Sequence, residues 1–349
     1  MIFLGDIACP DKNLAHNIFP HDCFSGETVV ANLEGSISDI DFTAQKKIFN
    51  NSSVLEYLKF DKRSVLSLAN NHITDIENGI ENTLEFCKKN SIPTVGAGRN
   101  LMEASRPLLL EVDRVPCFFL SFGWDVIQCK YAKQNSPGVN PLEPKHVLRS
   151  VTEIRETNPQ ARIILLFHWG YELELYPLPM QRELALECIE LGADVVVGSH
   201  SHCVQGIETY KGKPIVYGLG NWFFPWGIYW QGTLRFPDFS KLGLAFEWDP
   251  VTEKTCCHWF LYDGKQTLSY LSSESVDGSK IVKAKTPFKD MNHKEYISWF
   301  KKHRRKRRGL PVYPTYKDTF GNKIRDKWVG ARGMLVSIAK SILGEKTPR

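Results

Sequence analysis

Carboxylate, imidazole and amide side chains stand where apolar runs of the chain stop. Ile2-Phe3-Leu4 leads to Asp6, and Thr28-Val29-Val30-Ala31-Asn32-Leu33 leads to Glu34. Val65-Leu66-Ser67-Leu68-Ala69 leads to Asn71 and His72, Ile163-Ile164-Leu165-Leu166-Phe167 to His168, and Asp194-Val195-Val196-Val197 to His200 and His202. A mixed oxygen and nitrogen set of this kind suits borderline or harder first-row divalent ions, Mn, Fe or Zn. A soft thiolate site would need cysteines there, and only Cys9 and Cys203 are near. Taken singly, several of these residues have plainer accounts. Asp6 after Gly5 also suits a turn, Asn70-Asn71 could be turn residues, and His168 could be a hydrogen-bonded core histidine. Gly198-Ser199-His200-Ser201-His202 resists that treatment, because two imidazoles in a Gly-Ser loop directly after a valine run are an unusual choice for packing. Five coincidences at five strand ends point to one shared metal site.

The elements that must position these residues follow from the hydrophobic pattern. Continuous apolar strands alternate with amphipathic segments over about the first 225 residues, which predicts an α/β architecture with helix-covered sheets. The strand-like segments above are joined by Leu108-Leu109-Leu110, Cys117-Phe118-Phe119-Leu120 and Pro214-Ile215-Val216-Tyr217. Helices are expected over Ser53 to Phe60, about Glu77 to Lys89, and Met180 to Leu191, the last closed by Gly192 at C′. In such sheets the rim at the C-terminal strand ends is where sites are built. Leu244-Ala245-Phe246-Glu247-Trp248 and Cys257-His258-Trp259-Phe260-Leu261-Tyr262 predict an antiparallel hairpin. The domain organisation expected is a main domain over 1–271 and a basic C-terminal extension over 272–349.

The chain has 349 residues, 42% apolar and 24% charged, which excludes wholesale disorder. Its nine cysteines include no CxxC pair, and Cys87, Cys117 and Cys188 read as buried reduced thiols. The N-terminus has no basic n-region, apolar h-region or cleavage site, so a cytoplasmic location is expected. The net charge of +5 is concentrated in Lys301, Lys302, Arg304, Arg305, Lys306, Arg307 and Arg308, around His303. After them Met334, Leu335, Ile338, Ile342 and Leu343 recur at helical spacing among Arg332, Lys340 and Lys346. The region 301–349 thus reads either as a peripheral contact with an anionic membrane on the inner face, or with a membrane-bound polymer synthase, or as a solvated tail. No specific nucleic-acid partner is expected, since no recognition motif accompanies the cluster.

Gly5-Asp6, Asn32-Leu33-Glu34-Gly35, Ala69-Asn70-Asn71-His72-Ile73-Thr74-Asp75, Val95-Gly96-Ala97-Gly98, His168-Trp169-Gly170, Gly198 to Gly206 and Leu219-Gly220-Asn221 together resemble the CapA family of capsule and poly-γ-glutamate synthesis. Tyr176-Pro177-Leu178-Pro179-Met180-Gln181-Arg182 also looks like that family. The resemblance covers about residues 1–225 and implies a calcineurin-like metallophosphoesterase fold, a four-layer α/β/β/α sandwich of two stacked sheets flanked by helices. It implies one or two divalent metal ions. Asp6 and His202 would hold the first, Asn71, His168 and His200 the second, with Glu34 bridging. One position departs from the pattern: Ala8 stands where metallophosphoesterases usually carry a histidine.

The resemblance further implies that His72 protonates a leaving group, with Asp75 either orienting it or capping the next helix. Glu172, Arg182 and Asn221 are candidates for contacting an anionic polymer substrate. Trp226, in the aromatic run after Asn221, is a candidate for stacking on a glycan, or belongs to a packed loop. The function implied is metal-dependent hydrolysis or transfer at a phosphoester or related linkage during capsule, exopolysaccharide or poly-γ-glutamate synthesis. Two rivals remain: a non-catalytic, metal-containing assembly factor of a polymer synthase, and an amide hydrolase or transferase acting on a γ-linked peptide polymer.

Overall fold

A computed structural model describes residues 1–14, 24–58, 63–305 and 309–343, with the side chains of Tyr57, Arg63 and 337–343 outside the description. Lys306, Arg307, Arg308 and Lys346 of the expected basic tail, and the last two residues of the helix expected from Ser53, fall outside the described residues.

The apolar runs form two sheets. In the first, the parallel strands Ile2–Ile7, Thr28–Leu33, Arg63–Ser67 and Thr94–Val95 are neighbours in that order. The antiparallel strands Leu242–Trp248, Thr255–Tyr262 and Leu268–Glu274 extend it beyond Ile2–Ile7, and Asn221–Phe223 pairs with Ile2–Ile7 as well. In the second, Arg162–His168 lies parallel between Val115–Gly123 and Val195–Ser199. Lys213–Val216 and Ile207–Tyr210 continue one side and Leu108–Val112 the other.

Side chains alternate across each strand, so each sheet buries two faces. Phe3, Val30 and Val65 of the first sheet meet Phe119, Ile164, Leu166, Val195 and Val197 of the second in one apolar layer. The opposite faces carry Leu4, Val29 and Ala31 with Ile80 and Cys87, and Ile163, Leu165 and Val196 with Val147, Val151, Leu184 and Cys188. Ile80 and Cys87 belong to the helix Gly79–Lys89, Val147 and Val151 to Pro144–Thr157, and Leu184 and Cys188 to Pro179–Glu190. The result is helix, sheet, sheet, helix, the four-layer sandwich implied above. It also explains why Ile2–Ile7, Thr28–Leu33 and Val195–Ser199 are buried along their whole length and read as continuous apolar runs.

Two differences from the sequence reading bear on the C-terminal half. The helix Pro144–Thr157 was not anticipated, although Val147, Val151 and Ile154 recur at spacings of four and three. The boundary expected at 271 falls inside the strand Leu268–Glu274, and the chain beyond it is not detached. Helix His293–His303 starts with a capping box between Asn292 and Glu295 and buries Tyr296 and Phe300. These two side chains, with Phe288 and Tyr313, join the main core. Tyr296 Oη donates to Pro177 O at 2.5 Å and Tyr171 Oη to Pro311 O at 3.1 Å. Arg304 and Arg305 also turn inward: Arg305 N donates to Glu174 Oε1 at 3.0 Å, and Arg304 Nε is 3.8 Å from Glu174 Oε2. The final helix, Phe320–Leu343, is tied to the segment before it through Asn322, Asp326 and Trp328, and most of its side chains between 320 and 336 are exposed.

Candidate metal centre

The first strand reaches the rim through a distortion. Its register slips between Leu4 and Asp6 against Thr28–Leu33, and again between Asp6 and Ile7 against Asn221–Phe223. Such irregularities re-aim a side chain, here the fully buried Asp6. Gly5 is required beside it, since a Cβ there would lie 1.9 Å from Gly220 O. On the neighbouring strand, Glu34 is equally buried. Gly35 follows with φ +82°, and a Cβ on it would stand 2.4 Å from Ile48 O.

Asn32 joins the two carboxylates. Its Nδ2 donates to Asp6 Oδ1 at 2.8 Å and to Glu34 Oε2 at 2.6 Å. Of the other oxygens, Glu34 Oε1 is buried without a hydrogen-bond partner, and Asp6 Oδ2 faces the His202 ring alone. Burial, then the Asp6 charge, push the Glu34 carboxyl up to about 8, while His72, His202 and Asn32 act in the opposite sense.

Three histidines close on these oxygens. His168 Nδ1 is 2.9 Å from Ser199 Oγ, whose own proton goes to Phe167 O at 3.3 Å. Nδ1–H is therefore the donor, and Nε2 keeps its lone pair. That Nε2 lies 2.8 Å from Asn71 Oδ1, 3.1 Å from His200 Nδ1 and 3.6 Å from Glu34 Oε1. Burial and the neighbouring imidazoles hold the His168 pKa well below its ordinary value, so the ring is neutral. His202 Nδ1 lies 2.8 Å from Asn221 Oδ1 and 3.2 Å from Asp6 Oδ2. His200 and His202 have φ of +82° and +51°, a costly conformation for these residues and one that collects at functional sites. Phe236 and Phe224 wall the His202 ring, with centroids at 4.8 and 5.6 Å.

These spacings fit a metal ion. Atoms ~2.1 Å from a common ion stand about 3.0 Å apart at octahedral angles and about 3.4 Å apart at tetrahedral ones. Glu34, His168 and His200 offer one ligand atom each, all within 4.8 Å of one another. With Glu34 ionised, Asn71 Oδ1, His168 Nε2 and Glu34 Oε1 are all acceptors, and His200 Nδ1 is the nitrogen beside them that can carry a proton; below about pH 8 the Glu34 carboxyl supplies a proton of its own. Buried acceptors facing one another without donors are costly, and a cation between them removes that cost. A second His-containing group, Glu247, Cys256 and His258, lacks this feature: His258 is paired at both nitrogens, with Glu247 Oε2 at 2.8 Å and Ser273 Oγ at 2.6 Å.

The structure thus gathers Asp6, Glu34, Asn71, His168, His200 and His202 at one rim. His72 and Asp75 stand at its edge: His72 Nδ1 is 2.8 Å from Asp75 Oδ2 and its Nε2 is 4.0 Å from Glu34 Oε1. Burial lowers the His72 pKa, but the Asp75 bond, the Asp75 charge, Glu34 and Glu172 outweigh it, and the net shift is upward. Glu172 also raises the pKa of His202, which places its charge within reach of both rings. Asp75 does not cap a helix; its Oδ2 also accepts from Ile48 N at 2.9 Å.

Three expectations meet a different arrangement. Arg182 is buried, and its guanidinium is committed to Glu208 (2.7 and 2.8 Å) and to Met291 O at 2.9 Å. That buried pair supports the C-terminal packing and turns the guanidinium away from the rim, toward Glu208 and the backbone of Lys289 and Met291. Trp226 is half-buried, backs onto Gly264 and has Lys241 Nζ 5.2 Å from its ring centroid. Its neighbours Trp222, Phe223 and Phe224 point into the core, which makes this a packed loop rather than a glycan rim. Asn221 contacts His202, and so supports a ligand candidate. Ala8 lies in an apolar cluster with Ile48, Phe49, Phe224 and Tyr229, which leaves no imidazole near Asp6 besides His202 among the described residues.

Besides Asn32, the sequence reading missed two amides that hold the loops. Asn70 Oδ1 accepts from Gly35 N (3.0 Å) and His72 N (3.2 Å), and its Nδ2 donates to Leu33 O (2.7 Å). Asn50 accepts from Cys9 N and donates to Glu34 O, both at 2.9 Å. Buried asparagines next to turn-like sequences were the only available signal.

A two-sheet sandwich with carboxylates, amides and imidazoles at one rim defines a candidate metalloprotein. Residues 23–225 match the family described as bacterial capsule synthesis protein PGA_cap, and the chain belongs to that family. The PGA biosynthesis protein CapA of Bacillus subtilis (strain 168) is 37% identical over 188 residues, covering 52% of this chain and 48% of that protein. The capsule biosynthesis protein CapA of Bacillus anthracis is 31% identical over 173 residues, covering 49% and 42%. The chain spans about half the length of the curated relatives it matches. Among solved structures, the 5'-nucleotidase precursor from Thermus thermophilus aligns over 78% of this chain and 48% of its own, with 13% identity and a TM-score of 0.39. The NAD nucleotidase of Haemophilus influenzae aligns over 78% of this chain and 49% of its own, with 12% identity and a TM-score of 0.38.

Proposed function

We propose that the protein is a metal-dependent hydrolase or transferase acting on a phosphoester or related linkage in the synthesis of a capsule or poly-γ-glutamate polymer. The observation that carries this reading is the convergence of buried carboxylate oxygens on imidazole nitrogens at one rim: Glu34 Oε1 lies 3.6 Å from His168 Nε2 and Asp6 Oδ2 lies 3.2 Å from His202 Nδ1. Asn71, His168, His200 and Glu34 would hold one divalent ion, and Asp6 with His202 and Glu34 a second. Mn, Fe or Zn bound there would supply a Lewis acid for a phosphoryl oxygen and make water a stronger nucleophile near neutral pH. The chain's own residues do the rest. Ser199 fixes the His168 tautomer, Asn32 holds the two carboxylates in register, and Asp75 turns His72 so that its Nε2 faces the rim. From there His72 can pass a proton to a leaving oxygen. The similarity to CapA proteins of PGA and capsule biosynthesis supplies the biological setting.

The second reading is an assembly factor that binds metal without turnover. Ala8 favours it, because its apolar surroundings leave the Asp6 side with few ligands. Hydrolysis of bis(p-nitrophenyl) phosphate by the metal-loaded chain separates the two. Turnover that disappears in His200→Ala supports the enzyme; bound metal with no turnover supports the assembly factor.

A further inference from the structure

The final helix, Phe320–Leu343, is amphipathic in an inverted sense. Between 320 and 336 its less exposed positions are Gly321, Asn322, Arg325, Val329 and Arg332, the last four at spacings of three, four and three. Those form the face turned to the rest of the protein, and it is mostly polar. Asn322 Nδ2 donates to Thr315 O at 2.8 Å and to Lys317 O at 3.0 Å. The apolar residues face outward instead: Phe320 is 80% exposed, Ile324 53%, Trp328 50% and Leu335 62%. With Ala331 they recur at spacings of four, four, three and four, one stripe along the helix. Met334, 71% exposed, flanks it. The same spacing continues in the sequence through Ile338 and Ile342.

Charge selects among the occupants such a stripe could take. The helix carries Lys323, Arg325, Lys327, Arg332 and Lys340 against the single acid Asp326. Lys323 and Lys327 are exposed on one border of the stripe. Exposed Lys301 and Lys302 end the preceding helix, and Trp328 Nε1 donates to Gly309 O, which ties the start of the final helix to the segment after that basic end. A second copy of the same helix would bring cations against cations. No described helix is long and apolar enough to cross a membrane, so a helix of this composition lies in the interface plane rather than spanning it.

We infer that the final helix is a docking element for an anionic lipid bilayer, with the Phe320–Ile324–Trp328–Leu335 stripe entering the acyl boundary and the lysines meeting lipid headgroups. This holds whether or not the metal centre turns over a substrate.

The test is flotation of the full chain with vesicles of phosphatidylcholine alone and of phosphatidylcholine with phosphatidylglycerol. The wild type is expected to float with the anionic vesicles and to float far less with neutral ones. The triple variant Phe320→Asp/Ile324→Asp/Leu335→Asp should lose binding more than tenfold at an unchanged melting temperature, because all three side chains are exposed. Leu109→Asp, another exposed apolar position, should bind as the wild type does. The inference is overturned if the triple variant floats equally, if the wild type does not float, or if it floats equally with neutral vesicles. It is also overturned if the triple variant converts a dimer to a monomer without changing vesicle binding, which would make a second copy the occupant.

Discussion

Replacing Glu34 by Gln should stabilise the metal-free protein and abolish its response to metal. In the absence of an ion and above about pH 8, where Glu34 is ionised, its Oε1 is buried without a donor and the carboxylate lies near Asp6, the two bridged by Asn32. Glutamine keeps an oxygen for Asn32 and turns an NH2 group toward the acceptor atoms of the cluster. Relief of one unsatisfied buried polar group is worth about 1–3 kcal/mol. Unfolding entropy is about 2.1 cal/mol/K per residue, so a chain of 349 residues has a melting entropy of about 0.7 kcal/mol/K. The metal-free Gln variant should therefore melt about 1.5–4 °C above the wild type. For the wild type, an ion at 100 times its dissociation constant adds about 2.7 kcal/mol, a rise of about 4 °C. Scanning calorimetry in chelator, then in Mn, Fe(II) or Zn, measures both effects. The order of stability should invert between the two conditions. A Gln variant that is less stable in chelator and still gains stability with metal would refute the reasoning.

Two further substitutions test what supports the centre. Arg182→Met should cost about 3–5 kcal/mol by stranding the buried Glu208, and Glu208→Gln added to it should recover part of that loss in urea denaturation. Arg182→Met should leave KM for an aryl phosphodiester unchanged in the fraction that remains folded, and a large rise in KM would restore Arg182 as a substrate contact. Gly5→Ala should destabilise by about 1–3 kcal/mol or more, because the added methyl meets the backbone of Gly220 rather than a movable side chain; an unchanged urea midpoint would contradict the close approach of the two strands.

The sheets and the ligand candidates were legible because one physical fact produces both signals. A strand buried on two faces reads as an unbroken apolar run, and its end, where polar side chains first become tolerable, marks the rim. Glu34, His168 and His200 stand out for that reason. Asn70 did not, because a buried asparagine that joins two loops has the same sequence appearance as one that makes a turn, and Asn32 did not, because it lies within the strand Thr28–Leu33 rather than at its end. Arg182 misled because its partner Glu208 lies 26 positions away, and an arginine on a helix does not declare whether it faces solvent or a buried carboxylate. The aromatic run after Asn221 carried no direction either: Phe224 packs on His202, while Trp226 lies against Lys241 and Gly264. The C-terminal half was obscured by its charge. The basic run at 301–308 suggested an independent tail, yet Tyr296 and Phe300 just before it, and Tyr313 after it, are core residues.

Metal content of the purified chain tests the central claim most directly. Elemental analysis should find at least one equivalent of Mn, Fe or Zn per chain in the wild type, and less than a tenth of that in His168→Ala/His200→Ala with an unchanged circular dichroism spectrum. A wild type that neither carries nor takes up any of the three ions, or a double variant that holds them as well as the wild type, would contradict the account.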